Sequence, residues 1–114
     1  MPPPEAITRL RHVLDAADSI LAMTAGRSFG DYEQNETLRL AVERQFTIIG
    51  EAMRVAAKID PSLEGRITDL RRICDFRNVL VHDYVTVYNE AVWRIIHADL
   101  PRLLAEVRAL LPPV

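Results

Sequence analysis

Apolar residues recur every three or four positions along nearly the whole chain, and no stretch of useful length alternates with a period of two. That rhythm puts one apolar stripe on each of several α-helices and leaves nothing from which to build a sheet. Ile7, Leu10, Leu14, Ala17 and Leu21 predict a helix over about 4–25, stopped by Gly26, with 27–30 as a connector. Leu38, Val42, Phe46, Ile49, Met53 and Ala56 predict the longest helix, over about 31–58. Asp60-Pro61 ends it, because a residue ahead of proline is driven out of the helical region. Ile67, Leu70, Cys74 and Leu80 predict a third helix over about 66–81, followed by a turn from Asp83 to Tyr88. Asn89 is a good N-cap for a last segment along Val92, Ile96, Leu100, Leu103, Val107 and Leu110. Pro101 cannot donate its backbone hydrogen bond, so this segment should kink or split near Asp99. The expected architecture is all-α, a four- to five-helix up-down bundle in one domain spanning 1–114.

Two features bear on packing and assembly. Gly50 lies mid-helix at a cost of about 0.5–1 kcal/mol relative to alanine, and either marks the close approach of another helix or is incidental. Ile48-Ile49 and Ile95-Ile96 make their helices apolar on more than one stripe. A second apolar face in so small a domain is expected to meet another subunit, which predicts a homodimer.

Composition narrows the classes further. A net charge of −2 argues against coating nucleic acid with the whole surface but leaves room for a local basic cleft. The single cysteine, Cys74, sits in an apolar-periodic segment and reads as a buried, inert thiol of a reducing compartment. No apolar run approaches the roughly 20 residues of a membrane span, and no signal-peptide pattern is present, so a cytoplasmic domain is expected. The prolines at Pro2 to Pro4 and Pro112-Pro113 read as frayed ends.

The chemistry concentrates in Arg77-Asn78-Val79-Leu80-Val81-His82-Asp83-Tyr84. Arginine grips phosphate as a rigid fork, and histidine both takes and gives a proton near neutrality. Together they suit transesterification within RNA: His82 as general base and acid around the 2′-hydroxyl and the leaving 5′-oxygen, Arg77 for the charge that develops. Five helical residues turn about 500°, which would leave the two side chains some 140° apart on one regular helix. Either the helix unwinds near Val81, or a two-fold axis brings two copies of the pair into one groove. Taken singly, the residues also have plain readings: a helix-end pair for Arg77 and His82, packing for Tyr84, a solvated turn for Asp83, a backbone hydrogen bond for Asn78. Asp83 could equally orient His82. Glu51 could partner an arginine of the third helix, Arg71 and Arg72 could extend a phosphate-binding surface, and Phe76 could stack or pack. His12, His82 and His97 lie on separate segments with no tight cluster to hold a metal, and no cofactor is expected.

The same residues carry a resemblance. Arg77-Asn78-x-x-x-His82-Asp83-Tyr84 resembles the Arg-x-x-x-x-His-x-Tyr motif of HepT-like toxins in the HEPN superfamily. Ala41-Val42-Glu43-Arg44 leading into Ile48-Ile49-Gly50-Glu51-Ala52 is similar to that family's second helix, and Trp93 and Asp99-Leu100-Pro101 to its last helices. The resemblance implies a dimeric HEPN fold with a metal-independent endoribonuclease site between protomers, Arg77 and His82 being catalytic; Asn78 and Asp83, beside them in the run, are expected to support them. It also implies a toxin of a bacterial type VII-like toxin–antitoxin pair. Its cognate antitoxin would be a minimal nucleotidyltransferase that transfers AMP to Tyr84. A non-catalytic alternative is a helical subunit that binds nucleotide or substrate for a nucleotidyltransferase.

Overall fold

The predicted helices are present in the computed structural model, which describes residues 1–82 and 89–113, the side chains of Val81 and His82 excepted. In chain order they are α1 (Pro4–Thr24), α2 (Phe29–Gln34), α3 (Glu36–Ile59), a 3-10 turn (Pro61–Gly65), α4 (Leu70–His82), α5 (Asn89–Ala98) and α6 (Leu100–Leu110). Among the described residues there is no strand. The protein is all-α, and none of these helices is long and apolar enough to cross a membrane.

Local chemistry sets the helix ends. Pro4 opens α1 and Pro2 is buried, so the leading prolines begin the first helix rather than fray from it. The 27–30 connector is shorter than its sequence suggested, because Ser28 caps a separate helix. Its Oγ accepts from the Asp31 N–H at 3.1 Å while the Ser28 N–H donates to Asp31 Oδ2 at 2.9 Å. Those bonds from Ser28 hold the Asp31 carboxyl below its ordinary range. Asn35 then adopts an extended backbone, and its Oδ1 accepts from the Leu38 N–H at 3.0 Å, dividing the expected 31–58 helix into α2 and α3. The 3-10 turn is capped by Asp60 Oδ1, which accepts from the Ser62 N–H at 3.1 Å. Pro101 occupies the first turn of α6, and the last segment breaks at Asp99 as its sequence requires.

The core lies along α3, which packs most extensively on α1 and next on α4. All six apolar positions predicted for α3, from Leu38 to Ala56, are buried. The α1 stripe is rotated from the predicted one: Ala6, Leu10, Val13, Ala17 and Ile20 are buried, whereas Leu14 and Leu21 are only partly covered. Small alanines on that side allow α1 to lie close against α3 and to touch α6 as well. Short α2 is held by Tyr32, fully buried with its ring 5.4 Å from that of Trp93 on α5. Thr68 fixes the approach to α4, its N–H and Oγ1 donating to the Glu106 carboxylate of α6 at 3.0 and 2.7 Å.

Candidate functional site

Helix α4 presses Arg77 directly onto the backbone of α3 at Gly50. A Cβ built on Gly50 would fall 2.5 Å from Arg77 Cβ and 3.3 Å from the Ile73 carbonyl oxygen. No side chain fits, so the mid-helix glycine marks a close helix approach, the first of the two readings its sequence allowed. The arginine stem is trapped between the helices and the side chain is 28 % exposed.

Two acceptors orient the guanidinium. Nη2 lies 3.4 Å from Glu51 Oε1, and Nη1 donates to Asn78 Oδ1 at 3.2 Å. Glu51 therefore does partner an arginine of the predicted third helix, and Asn78 bonds a side chain rather than the backbone. Nε is buried and finds no acceptor among the described residues. The same Glu51 oxygen lies 3.8 Å from Arg54 Nη2, one turn along α3, so one carboxylate sits between two guanidinium groups. Arg54 had no signal in the sequence beyond its three-residue spacing from Glu51. Charge on a pre-formed, half-buried fork with free N–H groups is what phosphate recognition demands.

The backbone of α4 remains helical through His82. Of the two arrangements open from the sequence, unwinding near Val81 is thus not the one adopted. The His82 side chain and all of Asp83 and Tyr84 lie outside the described residues, as does the turn to Tyr88.

Other singled-out residues fall away from Arg77. Arg71 donates to Glu64 at 2.8 Å and Arg72 lies 3.6 Å from Asp69, both on the exposed surface. Phe76 packs edge-on against Phe46 with ring centroids 5.3 Å apart, so it belongs to the core margin. Cys74 is half-buried, and that burial pushes its thiol up. His97 is exposed with its ring tilted 39° against that of Trp93 at 4.5 Å, while His12 is exposed on α1. Among the described residues no three His, Cys, Asp or Glu side chains gather as a metal site would need. A groove of about 300 Å³ between α4 and α6 has an apolar floor that includes Ile73, Phe76 and Leu103. Its arginines, Arg72 and Arg102, both lie against Asp69, so it offers little unneutralised positive charge for an anion.

Known proteins resemble the chain over most of its length. A family model described as ribonuclease HepT-like matches residues 13–110. A candidate RNase of Methanocaldococcus jannaschii is 27% identical over 100 residues, covering 86% of this chain and 89% of the relative. One from Caldanaerobacter subterraneus subsp. tengcongensis is 28% identical over 102 residues, covering 90% of each. A second candidate RNase of M. jannaschii is 22% identical over 116 residues, covering 100% of this chain and 93% of the relative. No solved structure matches the chain significantly.

Proposed function

The chain belongs to the ribonuclease HepT-like family, and on that premise we propose that it is a metal-independent endoribonuclease toxin of a type VII-like toxin–antitoxin pair. The observation that carries the reading is Arg77: its stem is clamped over Gly50 and its head is held by Glu51 and Asn78. The glycine beneath it lets the stem lie against α3, and its buried Nε–H has no acceptor among the described residues.

In the proposed reaction His82 takes the proton of an RNA 2′-hydroxyl, and that oxygen attacks the adjacent phosphorus. A P–O2′ bond forms, the P–O5′ bond breaks, and a protonated histidine returns its proton to the departing 5′-oxygen. The products are a 2′,3′-cyclic phosphate and a 5′-hydroxyl. Arg77 stabilises the charge gathering on the phosphoryl oxygens. The backbone of α4 is helical to His82, and on a regular helix positions 77 and 82 stand some 140° apart about the axis. This supports a homodimer in which the two-fold axis assembles both pairs in one cleft. Asp83 would orient His82. AMP placed on Tyr84 by a cognate minimal nucleotidyltransferase would set negative charge and bulk where an RNA phosphate must sit, silencing the toxin.

Induced expression of wild type, Arg77→Ala and His82→Ala, with growth and total RNA followed together, tests this. Growth arrest and new RNA ends for wild type alone are expected. Equal growth and intact RNA in all three, with an intact mass excluding modification, would refute it and favour a non-catalytic subunit of a nucleotidyltransferase.

A further inference from the structure

A second cleft, of about 180 Å³, opens between α1 and α3. Arg9 and His12 line it from α1, and Arg44, Thr47, Glu51 and Arg54 from α3. The spacing explains the grouping: positions three and four apart share one face of a helix, and the two helices turn these faces toward one another. Three arginines thus meet a single carboxylate, in a chain whose net charge is −2. Among the described residues Arg9 and Arg44 have no ion-pair partner, as is also true of several arginines elsewhere on the surface; what sets these two apart is that they share one cleft with Arg54. Three arginines and one carboxylate leave this cleft with a net positive charge.

The cleft is linked to Arg77 through one shared carboxylate. Glu51 belongs to its wall and lies 3.8 Å from Arg54 on one side and 3.4 Å from Arg77 on the other. An anion bound along Arg9, Arg44 and Arg54 would therefore lie one carboxylate away from the guanidinium proposed to grip the phosphate under attack.

We propose that the cleft between α1 and α3 binds the phosphates of the RNA strand flanking the bond held at Arg77, and so supplies most of the affinity for RNA. The proposal rests on the ribonuclease reading. Its lining explains why a backbone, and not a free nucleotide, is the ligand. No Phe, Tyr or Trp ring lines it to stack a base, and it is smaller than the roughly 300–1,000 Å³ of a small-molecule pocket. Recognition there would be independent of sequence, because phosphate contacts set position without reading bases.

The test measures binding of a fluorescein-labelled, fully 2′-O-methylated single-stranded RNA to the full chain by anisotropy. That strand lacks the internal nucleophile, so it binds without being cut. Wild type, Arg9→Gln/Arg44→Gln and a charge-matched control, Arg102→Gln/Arg108→Gln, are compared between about 50 and 200 mM salt. Two lost phosphate contacts should flatten the slope of log K against log salt by roughly 1.4 and weaken low-salt binding about tenfold. The control should follow wild type, and circular dichroism should find all three folded. Equal slopes in wild type and the cleft variant, or an equal loss in the control, overturn the proposal. If wild type still cuts unmodified RNA in that case, the ribonuclease reading survives without the cleft. If wild type neither binds nor cuts RNA, both fall.

Discussion

Replacing Gly50 with alanine adds one methyl group at the point where α3 and α4 are closest. The new carbon would stand 2.5 Å from Arg77 Cβ and 3.3 Å from the Ile73 carbonyl oxygen. Carbon atoms rest about 3.5–4.0 Å apart, so α4 must retreat by about 1 Å. Neither obstacle is the tip of a flexible chain that could swing aside. Overpacking of this kind costs about 1–3 kcal/mol, while alanine returns about 0.5–1 kcal/mol through its better helix propensity. The net expectation is a loss of about 0–2.5 kcal/mol, measured by urea unfolding. Cleavage should suffer more than stability, because a shift of about 1 Å in a catalytic group costs on the order of a hundredfold. Single-turnover cleavage of a labelled RNA at saturating protein separates this from weakened binding. Gly65→Ala is the control, since nothing lies within 4 Å of a Cβ at that position. Wild-type stability together with wild-type cleavage in Gly50→Ala would refute the claim that this contact positions Arg77.

Two further outcomes are expected. Glu51→Gln should change stability by less than about 1 kcal/mol, as partly exposed ion pairs do, yet lower the cleavage rate about tenfold, with Glu51→Asp restoring part of it; an unchanged rate would remove Glu51 as a positioning residue. Tyr32 is fully buried, its hydroxyl has no partner among the described residues, and burial raises its phenol to about 12. A group whose folded pKa is raised contributes stability that is present below the unfolded value, near 10, and is lost as pH climbs toward 12. The loss over that window is about 2–3 kcal/mol for this group. Tyr32→Phe should abolish that component and be neutral or stabilising near pH 7; Trp93 fluorescence during urea unfolding at pH 7 and pH 11 would reveal it, and identical alkaline losses in both proteins would contradict it.

The parts of the fold legible in the sequence are those where one residue has one physical meaning. Proline at 61 and at 101 interrupts a helix wherever it stands, and both breaks fall where expected. The α3 stripe was readable because large apolar residues occupy every inward position. On α1 the buried stripe is partly alanine, which carries a weak apolar signal, so the larger Leu14 and Leu21 drew the predicted face toward themselves. The break at Asn35 was available in principle, since asparagine caps helices well, but the apolar rhythm continued past it. At the site, Glu51 as an arginine partner and Gly50 as a contact point were both open readings that packing decided. The cleft of Arg9, His12 and Arg44 was invisible, because its two halves lie more than thirty positions apart and only the pairing of α1 with α3 unites them.

The Thr68–Glu106 bonds at the start of α4 make that helix a lever. Its fixed end is near Leu70, its support is the contact of Arg77 with Gly50, and its far end is His82. At 1.5 Å per residue the support stands about 10.5 Å from the fixed end and the tip about 18 Å. A displacement at the support is therefore magnified about 1.7-fold at His82. Any displacement of α3 at this contact is felt most at His82, the position proposed to carry the proton.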